Sequence, residues 1–207
     1  MEDGTGRICT GAGRIGVWYS YNDRFGVAVP PITPPGVPIL PFAVDSGIGG
    51  SQRAMYGSYR YPASATSSFN ADMWGAGLGF DLAFDGTHYG TFDARGLTGI
   101  SFLVRSSLPK NYFLRVNTVE STPIAYGGTC PTEWCGAFNR TFWAGPEWTR
   151  ETVRFDELHF WTSPPGAPLT FRPEQLTNVQ FLITQYPTDR SDSELWIDDI
   201  AFFVLDQ

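Results

Sequence analysis

The chain has 207 residues and a formal net charge of −7, an acidic balance that excludes a nucleic-acid backbone as the expected partner. Hydrophobic residues make up 42% and aromatic residues 15% of the sequence, with 23 glycines, 16 prolines and only 17% charged residues, which is typical of an all-β globular domain. No stretch is long and apolar enough for a transmembrane helix, so we expect no membrane insertion. We predict a single domain over residues 1–207.

The first half of the chain contains three predicted strands, separated by loops rich in glycine and proline. Residues 17–21, 51–59 and 73–82 carry the aromatic and aliphatic side chains of strands. Residues 30–41 hold six prolines and cannot join a sheet interior, so we expect an extended surface crossing there. In 73–82, three glycines at alternate positions leave one face of the strand bare, which indicates that another group packs closely against its backbone.

The second half contributes further strands, at residues 99–105, 112–119, 148–155, 160–161, 179–185 and 195–205. Because 99–105 and 112–119 are unbroken runs of apolar and β-branched residues, we expect them to be central strands. Alternation places Phe113, Arg115 and Asn117 on one face of the second of these strands. One helical turn is expected near residues 173–176. Eight or nine strands with irregular loops predict an all-β, two-sheet antiparallel sandwich of the jelly-roll type.

The last predicted strand contains two adjacent carboxylates, Asp198 and Asp199, which alternation sends to opposite faces. The same alternation places Asp198 beside Trp196, Ile200 and Phe202, where an unpaired charge is costly. A bound hard cation would satisfy this carboxylate. The alternative is a carboxylate at a sheet edge that accepts hydrogen bonds from an arginine or a backbone N–H.

The chain contains three cysteines, and their spacing bears on whether the protein resides in an oxidising compartment. Cys130 and Cys135 flank a four-residue loop that begins with Pro131, a spacing that suits a local disulfide. A zinc site is the alternative, but this short pair has no histidine neighbours. Cys9 is left over, as a free thiol or paired with a group outside this chain. The disulfide favours a secreted, extracellular or cell-surface protein.

Five segments carry a likeness to a known family when they are taken in chain order. They are MEDG at 1–4, GVWYSYND at 16–23, GISFLVR at 99–105, GGTCPTEWC at 127–135 and LWIDDI at 195–200. Together they resemble the galactose-binding-like jelly-roll carbohydrate-binding modules, nearest to modules of the family 11 kind and related secreted bacterial proteins. The resemblance spans nearly the whole chain.

The resemblance implies a structural calcium ion that ties the two ends of the chain together. In such modules an acidic residue near the N-terminus and an aspartate of the last strand hold this ion. Carried over to this sequence, the ligands are Glu2 and Asp198, with Asp3 and Asp199 as less favoured neighbours. Hard oxygen ligands of this kind suit calcium.

The resemblance also implies a glycan or polysaccharide ligand on a concave sheet, where aromatic rings stack on pyranose faces and polar side chains bond the hydroxyl groups. The candidate ligand-binding residues are Tyr19, Tyr21, Tyr56, Trp74, Arg115 and Asn117, with Trp134 and Trp143 on loops. Arg115 and Asn117 share one face of an otherwise apolar strand, so we expect that face to be exposed to solvent. The acidic chain favours a neutral or weakly charged glycan.

A catalytic function lacks a recognisable motif in this sequence. His88 and His159 lie in unrelated contexts, and there is no nucleophile elbow, zinc motif or phosphate loop. A glycosidase needs two carboxylates across a cleft, and no motif fixes such a pair here. We therefore expect a non-catalytic, monomeric glycan-binding module, a role that is compatible with an accessory domain of a glycan-degrading enzyme. A structural or adhesion domain, and a jelly-roll glycoside hydrolase or lyase, stay open as alternatives.

Overall fold

Two antiparallel β-sheets face each other in the computed structural model, which describes residues 4–8, 13–23, 27–29, 41–43, 50–60, 75–133, 135–161, 168–183 and 192–205. The strands are β1 (Trp18–Asn22), β2 (Val27–Val29), β3 (Phe42–Ala43), β4 (Arg53–Arg60), β5 (Ala76–Asp81), β6 (Gly99–Ser106), β7 (Lys110–Thr118), β8 (Ala137–Ala144), β9 (Thr149–Arg154), β10 (His159–Trp161), β11 (Leu176–Ile183) and β12 (Ser193–Phe203). The proline-rich crossing predicted at residues 30–41 lies outside the described residues except for Pro41.

The first sheet has the strand order β1-β5-β11-β7-β8-β10, and the second has the order β2-β4-β12-β6-β9 with β3 also paired to β4. The all-β, two-sheet antiparallel prediction is confirmed, and both expected central strands, β6 and β7, are interior strands of their sheets. The predicted helical turn is a short 3-10 helix at Pro173–Gln175. Within the described ranges, no helix has the length and hydrophobicity that crossing a bilayer requires.

Aromatic side chains join the two sheets across the core. Phe102 of β6 lies with its ring centroid 4.9 Å from that of Phe181 of β11 and 5.1 Å from that of Phe142 of β8, both in edge-on geometry. On the same side of the first sheet, Trp18 packs against Phe80 at 4.8 Å. All of these rings are at most 4% exposed. Burial of several large rings in favourable tilted contacts fixes which face of each strand points inward.

The core alternation of the first sheet determines what its outer face carries. In β1, Trp18 and Ser20 are buried, so Tyr19 and Tyr21 point to the opposite side. In β7, Tyr112 and Leu114 point into the core, so Arg115 points outward, as the sequence predicted.

Strand β8 was not predicted from the sequence. Its core-directed positions are Phe138, Arg140 and Phe142, and the arginine interrupts the apolar alternation. Arg140 is exposed there, and its Nε lies 3.9 Å from a carboxylate oxygen of Glu157. The short strands β2 and β3, which pair with β4, were also missed.

The alternation predicted for the last strand is wrong beyond Asp198. Asp198 pairs with Leu103 and Ala201 with Ser101, so one extra residue forms a β-bulge, and Asp199 has a φ of 43°. The bulge reverses the phase of the strand. Trp196 and Asp198 lie on the outer face, whereas Phe202 packs inward, 5.4 Å from Phe92.

The structure joins Cys130 to Cys135 in a disulfide, as predicted. Cys130 is buried, and its backbone is held to the neighbouring turn: its N–H donates to the Thr122 carbonyl, and its own carbonyl accepts from the Ile124 N–H. The bridge therefore closes a loop whose first half is already fixed by backbone hydrogen bonds. Cys9 lies outside the described residues.

We expect the disulfide to add only about 2 kcal/mol or less to the free energy of unfolding, because a short closed loop loses little chain entropy. Cys130→Ala with Cys135→Ala should then lower the denaturation midpoint modestly without loss of fold. Thiol titration of the unfolded, unreduced protein should find only the Cys9 thiol, and three reactive thiols would exclude the bridge in solution.

Candidate functional site

The outer face of the first sheet presents one lateral row of paired residues across all six strands. The register pairs Tyr19 with Gly79, Gly79 with Gln180, Gln180 with Arg115, Arg115 with Asn139, and Asn139 with His159. Neighbouring strands lie about 4.8 Å apart, so the row is about 24 Å long. We call this outer face the tyrosine face.

The phenol ends of Tyr19 and Tyr21 lie over the bare backbone of β5. A β-carbon added at Gly79 would be 2.6 Å from Cζ of Tyr19, and one added at Gly77 would overlap the ring of Tyr21. The two ring centroids are 6.1 Å apart. The close packing expected from the alternating glycines is therefore present, and two tyrosine rings supply it.

The amide of Gln180 holds both phenols in place. The hydroxyl of Tyr21 donates to Oε1 of Gln180 at 3.0 Å, and Nε2 of Gln180 donates to the hydroxyl of Tyr19 at 3.1 Å. Burial raises the pKa of each phenol, and for Tyr21 the charge of Arg115 opposes this shift. Both rings are therefore neutral at physiological pH and are fixed from beneath and from the side.

Arg115 is positioned next to this pair by Asn139 of the missed strand β8. Its Nε donates to Oδ1 of Asn139 at 3.0 Å, and Nδ2 of Asn139 donates to the Ala137 carbonyl at 3.1 Å. Burial lowers the pKa of Arg115, and the nearby Tyr21 opposes this shift. The guanidinium still carries its charge at neutral pH, because the ordinary pKa of arginine is so high.

Asn117 shares the face of Arg115, as predicted, but it is only 5% exposed. Its Nδ2 donates to Oδ1 of Asn178 at 2.7 Å, and Asn178 pairs in register with Asp81. Asn117 therefore orders the floor of the tyrosine face rather than reaching outward.

Asp81 ends strand β5, two residues beyond Gly79, and therefore points to the tyrosine face. Its residue surface is only 8% exposed. Burial raises the pKa of Asp81 from 3.8 to about 7. Its charge in turn raises the pKa of Tyr19 and Tyr89.

The remaining predicted ligand-binding aromatics divide into three cases. Tyr56 is a correction: it lies on the outer face of the second sheet, where its ring packs against Trp196 at 5.0 Å and its hydroxyl donates to Glu194. Trp143 lies on the tyrosine face, in β8 rather than on a loop, and is 50% exposed. Trp74 and Trp134 are outside the described residues.

Sequence reasoning missed Gln180 and Asn139 and gave Asp81 no binding role. Alternation along the predicted strand 179–185 would have placed Gln180 on the face opposite to Phe181, but it did not show that β5 and β7 flank this strand, with β1 beyond β5. Asn139 could not be placed without β8.

Asp198 is 5% exposed, and its Oδ1 accepts the Asp199 N–H at 2.7 Å. Asp199 forms an ion pair with Arg150. Among the described residues, no group of three or more acidic, histidine or cysteine side chains could hold a metal ion. Glu2 and Asp3 lie outside the described residues, but the neighbouring Gly4 is placed against the guanidinium of Arg53 on β4.

Asp81→Asn should stabilise the protein at high pH. Because folding raises the Asp81 pKa, the folded state holds this proton more tightly than the unfolded state, and the stability it contributes is lost as the pH rises from about 4 to 7. At pH 8 the variant should gain on the order of 2–4 kcal/mol in the free energy of unfolding.

Urea denaturation of the wild type and the variant at pH 5 and pH 8 measures this gain, which should be larger at pH 8. Asp85→Asn is the matched control, because Asp85 is exposed and its pKa is lowered by hydrogen bonds from the backbone of His88 and Thr87. An Asp81→Asn variant that is less stable than the wild type at both pH values would contradict the placement of this carboxyl group.

Comparison with solved structures reveals similar chains over nearly the full length. A family 11 carbohydrate-binding module from Clostridium thermocellum, in complex with a β-1,3-1,4-mixed-linked tetrasaccharide, has a TM-score of 0.57 and 12% identity, covering 96% of this chain and 95% of that chain. A family 11 module of a cellulosomal cellulase of the same organism has a TM-score of 0.53 and 11% identity, covering 91% and 88%.

A family 30 module of another cellulosomal cellulase of Clostridium thermocellum has a TM-score of 0.50 and 10% identity, covering 92% of this chain and 99% of that chain. No protein-family model matches the sequence, and no curated protein does. At these identities the likeness concerns the fold alone. The chain has the jelly-roll fold of the carbohydrate-binding modules.

Proposed function

We propose that this protein binds a glycan chain on the tyrosine face and does so without catalysis. The observation that carries the proposal is the pair of tyrosine rings packed over Gly77 and Gly79 and hydrogen-bonded to the amide of Gln180. Rings fixed in this way offer apolar faces to the C–H faces of pyranose rings, and little side-chain entropy is lost when a ligand packs on them.

Polar groups lie beside the rings in the same lateral row. Arg115 is a multiple donor that Asn139 holds within the same lateral row, and Asn139 adds an amide. The row of about 24 Å is long enough for several pyranose residues, which favours a polysaccharide over a single sugar. The family 11 module whose fold is similar was solved with a mixed-linked tetrasaccharide, which supports the same class of ligand.

The charge of the chain favours a neutral polymer, since a net charge of −7 repels anionic polysaccharides. The absence of catalysis is supported by the strand residues described on the tyrosine face, where Asp81 is the one carboxylate. Glycoside hydrolysis of the usual kind needs two. The disulfide supports a secreted or cell-surface location, and we propose that the module acts as a monomer.

Affinity electrophoresis through gels that contain soluble β-1,3-1,4-glucan, xylan or glucomannan tests this function. The wild type should be retarded by at least one of these polymers, and Arg115→Ala should weaken binding about tenfold, since a charged donor to the ligand is lost. Arg105→Ala is the matched control: Arg105 lies on the second sheet, where its guanidinium is 4.5 Å from the ring centroid of Trp196.

Retardation that survives Arg115→Ala unchanged would move the binding site away from the tyrosine face. Lack of retardation by all three polymers, with a folded protein, would favour the structural or adhesion role instead.

We also propose that Asp198 helps to hold a structural calcium ion with Glu2. The carboxylate of Asp198 supports this proposal because it is only 5% exposed beside the β12 bulge, and carboxylate oxygens are the hard ligands that calcium prefers. Gly4 lies against Arg53 of β4, and β4 pairs with β12. Gly4, which follows Glu2 by two residues, therefore lies beside the strand that pairs with β12. A calcium ion there would neutralise the carboxylate and tie the first residues to the last strand.

Removal of calcium with a chelator should lower the Tm of the wild type by roughly 5 °C, because a ligand that binds only the folded state adds to its stability. Asp198→Ala should abolish the chelator effect while the fold is kept. Asp199→Ala should leave most of it, since Asp199 is paired with Arg150. If thoroughly stripped wild-type protein melts at the same temperature with and without calcium, the ion has no structural role.

A further inference from the structure

The carboxyl group of Asp81 lies on the tyrosine face, where the residue is 8% exposed, and the described residues give it no hydrogen-bond or ion-pair partner. Asp23, which is 4% exposed, differs in this respect, because its carboxylate accepts from the hydroxyl of Tyr59 and the N–H of Gly75. A buried carboxylate without donors is costly to the folded state. Such a group at a binding surface is a functional candidate.

Among the residues that the structure describes, none supplies a cation to Asp81. β1 contributes the phenol of Tyr19, and the loop after β5 contributes the phenol of Tyr89. On the β11 and β7 side stand the neutral amides of Asn178 and Asn117, which are hydrogen-bonded to each other. Both phenols have raised pKa values, about 12 for Tyr89, so neither carries a charge near neutral pH.

Arg115 does not compensate Asp81. Arg115 belongs to the row of Gln180 and Asn139, whereas Asp81 belongs to the row of Asn178 and Asn117. The raised pKa of Asp81 has burial as its only cause, with no opposing cationic contribution. The nearest histidine in the following loop, His88, is turned toward the exposed Asp85, 3.6 Å from its carboxylate.

We propose that Asp81 is a specificity-determining ligand contact, whose ionised carboxylate accepts hydrogen bonds from two hydroxyl groups on adjacent carbons of a pyranose stacked on Tyr19. This inference rests on the proposed function and deepens it. A carboxylate has two acceptor oxygens in one plane and can receive both hydrogens of a vicinal diol, which an amide or a single hydroxyl cannot do. The hydroxyl groups of the glycan then supply the hydrogen-bond donors that Asp81 lacks in the free protein.

Glycan binding is consequently coupled to deprotonation of Asp81. With a pKa of about 7 in the free protein, the carboxyl group is mostly protonated at pH 5.5 and mostly ionised at pH 8.5. Only the ionised form offers two acceptors, so binding favours loss of the proton and affinity rises with pH. The other titratable groups that face Asp81, the phenols of Tyr19 and Tyr89, stay neutral throughout this range.

Isothermal titration calorimetry of the full chain with soluble β-1,3-1,4-glucan, xylan and glucomannan tests the inference at pH 5.5, 7.0 and 8.5. Wild-type affinity should rise about tenfold between pH 5.5 and 8.5. At pH 7, titrations in two buffers of different ionisation enthalpy should reveal release of roughly half a proton per site.

Asp81→Asn should bind weakly and change less than about twofold in affinity over the same pH range, because its amide cannot ionise. Asp85→Asn should keep the full pH dependence, since Asp85 is exposed and lies outside the tyrosine face. Thermal melts of both variants confirm that they are folded.

Two results would overturn the inference, and they are distinguishable. If the wild type binds equally at all three pH values, releases no proton and is matched by Asp81→Asn, while Arg115→Ala weakens binding, then the tyrosine face is the site and Asp81 is not a contact. If the wild type binds none of the three polymers at any pH, the proposed function and the Asp81 contact both fail.

Discussion

The arrangement of the candidate site depends on one steric constraint, the bare backbone of β5. Gly77 and Gly79 face outward next to a strand whose outward residues are tyrosines, so the rings of Tyr21 and Tyr19 rest on the peptide plane itself. A side chain at either glycine would lift a ring away from the sheet and out of reach of the Gln180 amide. The cost of glycine in a strand is thus offset by aromatic packing on the neighbouring strand.

The tyrosine face carries two kinds of polar group: amides that are hydrogen-bonded within the sheet, and one carboxyl group that is not. Gln180, Asn117 and Asn139 are each engaged by a neighbour within the sheet, which fixes the surface before any ligand arrives. Asp81 is left without donors, so the folded state carries an electrostatic cost at this one point. Sites of this kind commonly exchange stability for function.

Much of the fold was predictable from local sequence because burial imposes period-two alternation on each strand. Alternation correctly placed Arg115 and Asn117 together, and the turn chemistry around residues 173–176 predicted a helical turn. Alternation does not show which of the two sheets a strand joins. Tyr56 has the local pattern of a ligand-facing aromatic, yet β4 pairs with β12 in the second sheet, and such pairing is set by contacts distant in sequence.

The bulge at Asp199 divides β12 into two halves. Odd-numbered residues point into the core before the bulge, and even-numbered residues point into the core after it. Insertion of one residue between Asp198 and Ala201 would therefore shift the second half by one position and turn Phe202 out of its contact with Phe92, whereas deletion of Asp199 would restore regular pairing with Phe202 still inward. Point substitutions in this strand face no such penalty. Directed diversification of the strand should accordingly vary residue type at fixed length, with separate apolar patterns for its two halves.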